Sequence, residues 1–376
     1  MDVDIAARPA IGTRRRFLPT DPSGTPSVDR LLLRLGMGRL LDAGLAAHPG
    51  RNDNWAGLTE SGQAVFVKRI GGAPAESLRR FHRVLAFERT AAAAAHPIRT
   101  PRLLGSDESA RLLVFELLEG AGAGSDLAGE DAFDEALSRR AGRTLAALHA
   151  LPVDGELHAS PPSLPAQSWF DALPWAVFGA ASAGTLEAWR LLQGDDALHD
   201  ALRALRAGQE GARTTPVHGD VRLDQFLIGP DGGLMLTDWE EFGLGDPARD
   251  LGAYAGDWLY RAVLKVPSGL HHGPAAEAPH EQVVRAGVAE LGRVAPLVAG
   301  FWSGYTALRP EAAADLGLLE RATAFAGWHL LDRLLASAHA RSRVTATERA
   351  AAGIGRTALL APQAFITVLG WGGPLA

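Results

Sequence analysis

Apolar and polar positions along the chain fall into three regimes. Over Val28–Leu41 leucines recur on one side and arginines on the other, a spacing that predicts an amphipathic helix. The period then shortens. Trp55–Thr59 and Ala64–Arg69 read as two strands joined by the turn Glu60-Ser61-Gly62, with the polar loop Asn52-Asp53-Asn54 ahead of them. Ala75–Ala95 is dense in good helix formers and predicts a long helix. His96-Pro97 ends it, because proline restricts the residue before it. Strands are expected again over Arg102–Ser106 and Arg111–Glu116, around Asp107-Glu108-Ser109.

Past Glu119-Gly120-Ala121-Gly122-Ala123-Gly124 the pattern turns helical, over Asp134–Ala150 and again through residues 281–340 and 346–370. Pro216–Trp239 interrupts it as loop, strand (Phe226–Ile228), Gly-rich turn and strand (Leu234–Thr237). Pro267–Pro279, rich in Gly, Pro and His, reads as a surface loop, and no internal repeat is visible. The order predicts an α+β, two-lobed chain: an arm over 1–26, a small antiparallel-sheet lobe with one long helix over 27–118, and a larger helical lobe over 119–376. The Gly-rich run is the expected hinge.

Composition narrows the classes. With 376 residues, 47% of them hydrophobic and 21% charged, the chain can bury a large core and stay soluble. A net charge of −6 gives no general pull toward nucleic acid or anionic lipid. Cysteine is absent, which excludes disulfides, thiolate metal sites and a cysteine nucleophile, and fits a reducing cytoplasm. Thr13-Arg14-Arg15-Arg16-Phe17-Leu18 imitates a twin-arginine signal, but Pro19-Thr20-Asp21-Pro22 follows where an apolar segment belongs. No apolar stretch approaches the roughly 20 residues of a spanning helix. The expectation is a cytoplasmic protein with no membrane or nucleic-acid partner.

The chemistry concentrates between residues 218 and 252. His218-Gly219-Asp220 is followed five residues later by Gln225, and eighteen residues after Asp220 by Asp238-Trp239-Glu240. Phosphoryl transfer asks for a carboxylate at the acceptor hydroxyl, oxygen ligands for magnesium and cations on the phosphates. A loop and hairpin of this length can bring a base and a metal ligand to one end.

His218-Gly219-Asp220-Val221-Arg222-Leu223-Asp224-Gln225 resembles the HGDxxxxN catalytic loop of the aminoglycoside phosphotransferase and choline kinase family. Asp238-Trp239-Glu240 resembles that family's metal motif, and Gly245-Asp246-Pro247-Ala248-Arg249-Asp250-Leu251-Gly252 the GDPxxDLA that follows. Thr144-Leu145-Ala146-Ala147-Leu148-His149 is similar to the helix before the catalytic loop, so the resemblance spans roughly residues 45–260. It implies the bilobal protein-kinase-like fold, with ATP held between lobes and Mg²⁺ as cofactor. Asp220 is then the base or the group that orients the acceptor hydroxyl, Asp238 the main magnesium ligand with Glu240 in the same motif, and His218 a brace for the loop. Gln225 stands where most members carry asparagine as second ligand; maltokinases also resemble HGDxxxGQ there. Arg222 occupies the place where protein kinases put a lysine near the transferred phosphate.

In the first lobe Val65-Phe66-Val67-Lys68 is similar to the kinase strand whose lysine pairs the α- and β-phosphates. Its expected partner is a helix glutamate, Glu88 by spacing, with Glu76 as the alternative. Arg51-Asn52-Asp53-Asn54-Trp55 stands where a phosphate-covering loop belongs, with Asn52 and Asn54 as donors, and Glu116-Leu117-Leu118 where the hinge would face adenine. Gly353-Ile354-Gly355-Arg356-Thr357-Ala358 matches a dinucleotide pattern but follows a helical segment, which excludes it. His271-His272 with His280 reads as a solvated loop.

The acceptor is read less directly. Arg51–Gly57, Phe66–Arg69 and Glu76–Phe81 resemble kinase subunits of class V lanthipeptide and thioamitide pathways. That resemblance implies phosphorylation of Ser or Thr in a precursor peptide, followed by elimination on a separate phosphate-lyase subunit. The alternatives are a small-molecule kinase for an aminoglycoside, sugar or amino alcohol, and a pseudokinase scaffold.

Overall fold

Glycine and proline mark many of the element boundaries in the computed structural model, which describes residues 24–48, 50–92, 98–153, 157–269 and 279–371. In chain order the first elements are α1 (Pro26–Arg34), β1 (Asp53–Leu58), β2 (Ala64–Arg69), α2 (Pro74–Ala91), β3 (Leu103–Asp107) and β4 (Leu112–Glu116). There follow β5 (Gly122–Ala123), α3 (Gly124–Gly129), α4 (Glu135–Leu148), α5 (Ser168–Asp171), α6 (Trp175–Ala180), α7 (Ala183–Gln193), α8 (Asp196–Glu210) and β6 (Thr215–Val217). The last are β7 (Phe226–Ile228), β8 (Leu234–Leu236), β9 (Gly243–Gly245), α9 (Ala248–Lys265), α10 (His280–Leu308), α11 (Leu316–Ala338), α12 (Ala346–Leu360) and α13 (Pro362–Phe365). The expected arm up to residue 23, the helix end at His96-Pro97 and His271-His272 lie outside the described residues.

The chain divides into two compact units. The first comprises the described residues up to Phe133 together with Leu223–Phe242; the second comprises Asp134–Arg222 and Gly243 onward. In the first unit an antiparallel sheet runs in the order β1-β2-β4-β3, with Lys68 opposite Asn54 on one side and Leu113 on the other. Val28, Leu31 and Leu32 of α1 pack on Trp55, Val65, Val67, Leu112 and Val114, all essentially fully buried. Each such aliphatic side chain is worth about 1.5–3 kcal/mol by burial alone, so α1 belongs to this core despite its shortness. A second small sheet, β5-β7-β8, carries the 223–242 segment.

The second unit is helical apart from the β6–β9 pair. Several of its helices start on side-chain caps: Asp134 accepts from the Leu137 N–H, Asp195 from Leu198, Asp315 from Leu318, and Thr345 forms a capping box with Glu348. Helices α4 and α10 touch backbone to backbone. A Cβ on Gly142 would lie 1.9 Å from the Phe301 carbonyl oxygen, and one on Gly304 would lie 2.0 Å from that of Arg139. Only glycine permits that approach, which brings the end of α4 against Tyr305. The α+β class expected from the sequence is what the structure shows: a small antiparallel sheet with one long helix, and a larger helical part. No helix among the described residues is long and apolar enough to cross a membrane.

Candidate phosphotransfer site

In the first unit the β7–β8 hairpin sets the geometry. Its closing contacts run from the Thr237 N–H and hydroxyl to the Gln225 carbonyl, at 3.0 and 3.1 Å. They bring Gln225 and Asp238 to one end, with the Gln225 amide nitrogen 3.4 Å from Asp238 Oδ2. Gln225 is buried, and turning its amide over presents the oxygen instead. Asp238 has φ 72° and ψ 63°, the left-handed region that Asp and Asn enter more readily than other non-glycine residues. Trp239, next in the motif, is a packing residue: its ring stacks on Phe87 with centroids 3.4 Å apart, and its Nε1–H donates to Thr100 at 3.1 Å. Helix α2 thereby holds the hairpin end.

Lys68 reaches this end from β2. Its Nζ lies 2.7 Å from Asp238 Oδ1 and 2.6 Å from Glu240 Oε1. Burial works against the ammonium, yet the Asp238 and Glu240 carboxylates outweigh it and hold the Lys68 pKa above the ordinary lysine value. Lys68 and Asp238 line a cavity of about 410 Å³ with Ala56, Phe66, Phe115 and Leu227. Glu116, Leu117 and Leu118, the expected hinge, line the same cavity. So does His48, a residue outside the sequence-based expectations, placed there by the loop before β1.

Several expected residues have other employment. Lys68 pairs with Asp238 and Glu240 where Glu88 was expected. Glu88 instead keeps Oε1 buried without a hydrogen-bond partner, and burial raises its pKa. Glu76 pairs with Arg79 on the exposed side of α2. Glu240, expected beside the metal, is 3% exposed and takes hydrogen bonds from Asn52, at 2.7 Å, and from Arg80. The Asn52 side chain also accepts from the Gly71 N–H at 3.0 Å, so it cross-links the first unit rather than facing outward to a phosphate. Asn54 staples its own loop, accepting from the His48 N–H at 2.6 Å and donating to the His48 carbonyl at 2.9 Å. Arg80, which the sequence offers only within the run Glu76–Phe81 and with no site role, falls in phase with Ser77, Val84 and Phe87 on the buried stripe of α2.

In the second unit the loop after β6 carries His218, Gly219 and Asp220. Asp250 accepts the backbone N–H groups of His218 and Gly219 at 2.7 and 2.9 Å. His149, capping α4, places Nε2 3.2 Å from Asp250 and Nδ1 2.9 Å from the Tyr305 hydroxyl. Burial opposes ionisation of Asp250, but His149, His218 and the Gly219 N–H outweigh it and hold its pKa below the usual carboxylate range. His218 is fully buried, and its Nδ1 accepts from the Asp220 N–H at 3.3 Å. Asp220 itself is partly exposed, with the Arg222 guanidinium 3.5 Å from Oδ2.

Asp238 and Gln225 are the oxygen-bearing side chains that would hold a magnesium ion. Among the described residues no three His, Asp or Glu side chains converge as a metal cage. Magnesium on nucleotides does not need one, since one or two carboxylates with phosphate and water oxygens suffice. Hard oxygen donors beside a buried lysine fit that ion.

A family model described as the phosphotransferase enzyme family (APH) matches residues 45–297. Viomycin phosphotransferase of Streptomyces vinaceus is 30% identical over 227 residues, which are 52% of this chain and 75% of that protein. Among solved structures, the ethanolamine kinase of Plasmodium vivax is similar at a TM-score of 0.49 and 11% identity, over 85% of this chain and 82% of that one. An aminoglycoside phosphotransferase from Alicyclobacillus acidocaldarius is similar at a TM-score of 0.46 and 16% identity, over 94% and 96%.

Proposed function

The chain belongs to the phosphotransferase enzyme family and is a kinase, and from that premise we propose that it moves the γ-phosphate of ATP to a hydroxyl of a small antibiotic-like molecule. The observation that carries the nucleotide half of this reading is Lys68 beside Asp238 at the end of a cavity bordered by Glu116–Leu118. A cavity of about 410 Å³ falls within the range of small-molecule and cofactor sites. The viomycin phosphotransferase relative supports the acceptor half.

In this reading Lys68 turns its ammonium to the α- and β-phosphates. Asp238 and Gln225 hold Mg²⁺, which when bound neutralises charge on the phosphate oxygens. Asp220 takes the proton of the acceptor hydroxyl as the new O–P bond forms and the bond from the γ-phosphorus to the β–γ bridging oxygen breaks, so that ADP leaves. His218, through its contact with the Asp220 N–H, keeps that loop in shape. The Arg222 guanidinium, 3.5 Å from Asp220, offsets charge there.

A second reading takes Ser or Thr of a ribosomal precursor peptide as acceptor, with a phosphate lyase acting afterwards. The resemblance of Arg51–Gly57, Phe66–Arg69 and Glu76–Phe81 to peptide-tailoring kinase subunits favours it. One assay decides between them: transfer of γ-phosphate from Mg–ATP to antibiotics, sugars and Ser/Thr peptides, read by mass. Asp220→Ala should lose about 10²–10⁴ in turnover while Mg–ATP still binds. Transfer by that variant at the wild-type rate would place the base elsewhere, and a wild type that neither binds Mg–ATP nor transfers phosphate would point to a scaffold.

A further inference from the structure

Helix α2 turns an arginine, not a carboxylate, toward the Lys68 site. Arg80 is 3% exposed, and its guanidinium bonds Glu240, the Gly71 carbonyl at 2.9 Å and Asn52 Oδ1 at 3.1 Å. Asn52 closes the ring by donating to Glu240 at 2.7 Å and accepting from Gly71 at 3.0 Å. Gly72, with φ 108°, makes the turn that points the Gly71 carbonyl at Arg80. Arg51 reaches Glu240 from the exposed side at 3.4 Å. Glu240 therefore collects Lys68, Arg80, Arg51 and Asn52, whereas Glu88 leaves Oε1 without a partner. A carboxylate taken out of water in this way needs its cations, and it stays where they hold it.

We propose that Glu240 is the anchor of Lys68, in place of a helix glutamate, and that Arg80 is the positioning residue that holds Glu240 for it. The usual order of charges between strand lysine and helix is thus inverted, with the third motif residue inserted between two cations. The inference rests on the nucleotide reading of the Lys68 site. It adds a division of labour. Lys68 has two carboxylate contacts, and the one on Glu240 is itself held by the buried Arg80 guanidinium. Lys68 can release Asp238 to the metal and still be held by Glu240 while its ammonium meets the phosphates.

The test compares the full-length wild type with Arg80→Lys, Arg80→Met, Glu240→Gln, Glu88→Gln and the double variant Arg80→Met/Glu240→Gln. Mg–ATP affinity is read by calorimetry, and urea midpoints are read without nucleotide. Arg80→Met and Glu240→Gln should weaken Mg–ATP by about tenfold or more, the loss expected for one charged hydrogen bond. Arg80→Lys, which keeps the charge but cannot serve all three acceptors, should fall between wild type and Arg80→Met, and Glu88→Gln should stay within about twofold of wild type. Arg80→Met strands a buried carboxylate and could fail to fold, so the double variant matters most. It should recover the urea midpoint but not the affinity, a separation that a purely structural role would not produce. A double variant that binds Mg–ATP like wild type, or Glu88→Gln as damaging as Glu240→Gln, overturns the inference alone. A wild type that binds no Mg–ATP overturns the nucleotide reading and the inference with it.

Discussion

The Asp250 carboxylate lies 2.7 Å from the backbone nitrogen of His218, with Gly219 next to it on the other oxygen. An acid on α9 thus fixes the loop that presents Asp220 through backbone groups alone. Hydrogen bonds to a charged group contribute about 1.5–3 kcal/mol each, so Asp250→Asn should loosen the loop without emptying the core. We expect turnover to drop by roughly tenfold to a hundredfold with Mg–ATP affinity kept, which calorimetry beside a rate assay would show. The pH dependence has a definite sign. Because the folded pKa of Asp250 is depressed, its stabilisation is fully present above about 3.9, the unfolded value, and is lost as pH falls through the lower folded value. The stability gap between wild type and Asp250→Asn should therefore close below about pH 4 in thermal melts.

Asp238 serves two purposes that substitutions can separate. Its backbone is left-handed, at φ 72°, and its carboxylate is the proposed metal ligand. Asp238→Asn tolerates the conformation and should melt within about 2 °C of wild type, but it should lose most Mg–ATP affinity. Asp238→Val should lose both, because a β-branched residue there pays about 1–3 kcal/mol of backbone strain. Equal melting temperatures for the two variants would refute the strain argument.

Gln225 tests the metal assignment from the other side. Its amide sits 3.4 Å from Asp238, one methylene longer than the asparagine of most relatives in the resembled family. Gln225→Asn should retain transfer within about tenfold, whereas Gln225→Leu, of similar size but without the oxygen, should fall by about a hundredfold or more. A leucine variant at the wild-type rate would remove Gln225 from the metal site and leave the kinase assignment standing.

Glu88 carries the opposite expectation to a functional acid. Burial raises its pKa and one oxygen has no partner, so its ionised form weighs on the fold at neutral pH. The sign follows: the penalty is absent below about pH 4.3, the unfolded value, and complete above the raised folded value. Glu88→Gln should raise the melting temperature at pH 7 by about 2–4 °C, and the gain should vanish at pH 4. No gain at pH 7 would mean that Glu88 has a partner in solution.

The parts legible in the sequence are those with local causes. β2, β4 and α2 announce themselves through period and flanking turn residues, and the strand pair expected within 216–239 forms as the β7–β8 hairpin. The expected helix over 28–41 stops at Arg34 because Gly36 and Gly38 take φ of 74° and 76°, although the apolar pattern runs on through Leu40. The expected stretch 281–340 breaks at Pro310, giving α10 and α11. Family membership was legible too, since the resemblance rested on ordered motifs. What stayed hidden depends on side chains from distant segments. Asn52 and Asn54 have the composition of a phosphate loop, and only the positions of Glu240 and His48 show that their amides are already engaged. Nothing in the sequence marks Arg80 as buried, because arginine defaults to the surface.

The first unit closes only with Leu223–Phe242, which lie beyond the whole of residues 134–222 in the chain. A ribosome making this protein at about 5–20 residues per second has roughly 6–24 s to wait between releasing β4 and delivering Asp238. Until then Lys68, Arg80 and Asn52 stand as cations and an amide without the carboxylates that pair them. The nascent sheet must therefore survive on its α1 core alone, and an amino-terminal fragment ending near residue 133 should be a poor candidate for isolation. For the same reason the two halves of the nucleotide site cannot be exchanged between relatives as one contiguous cassette.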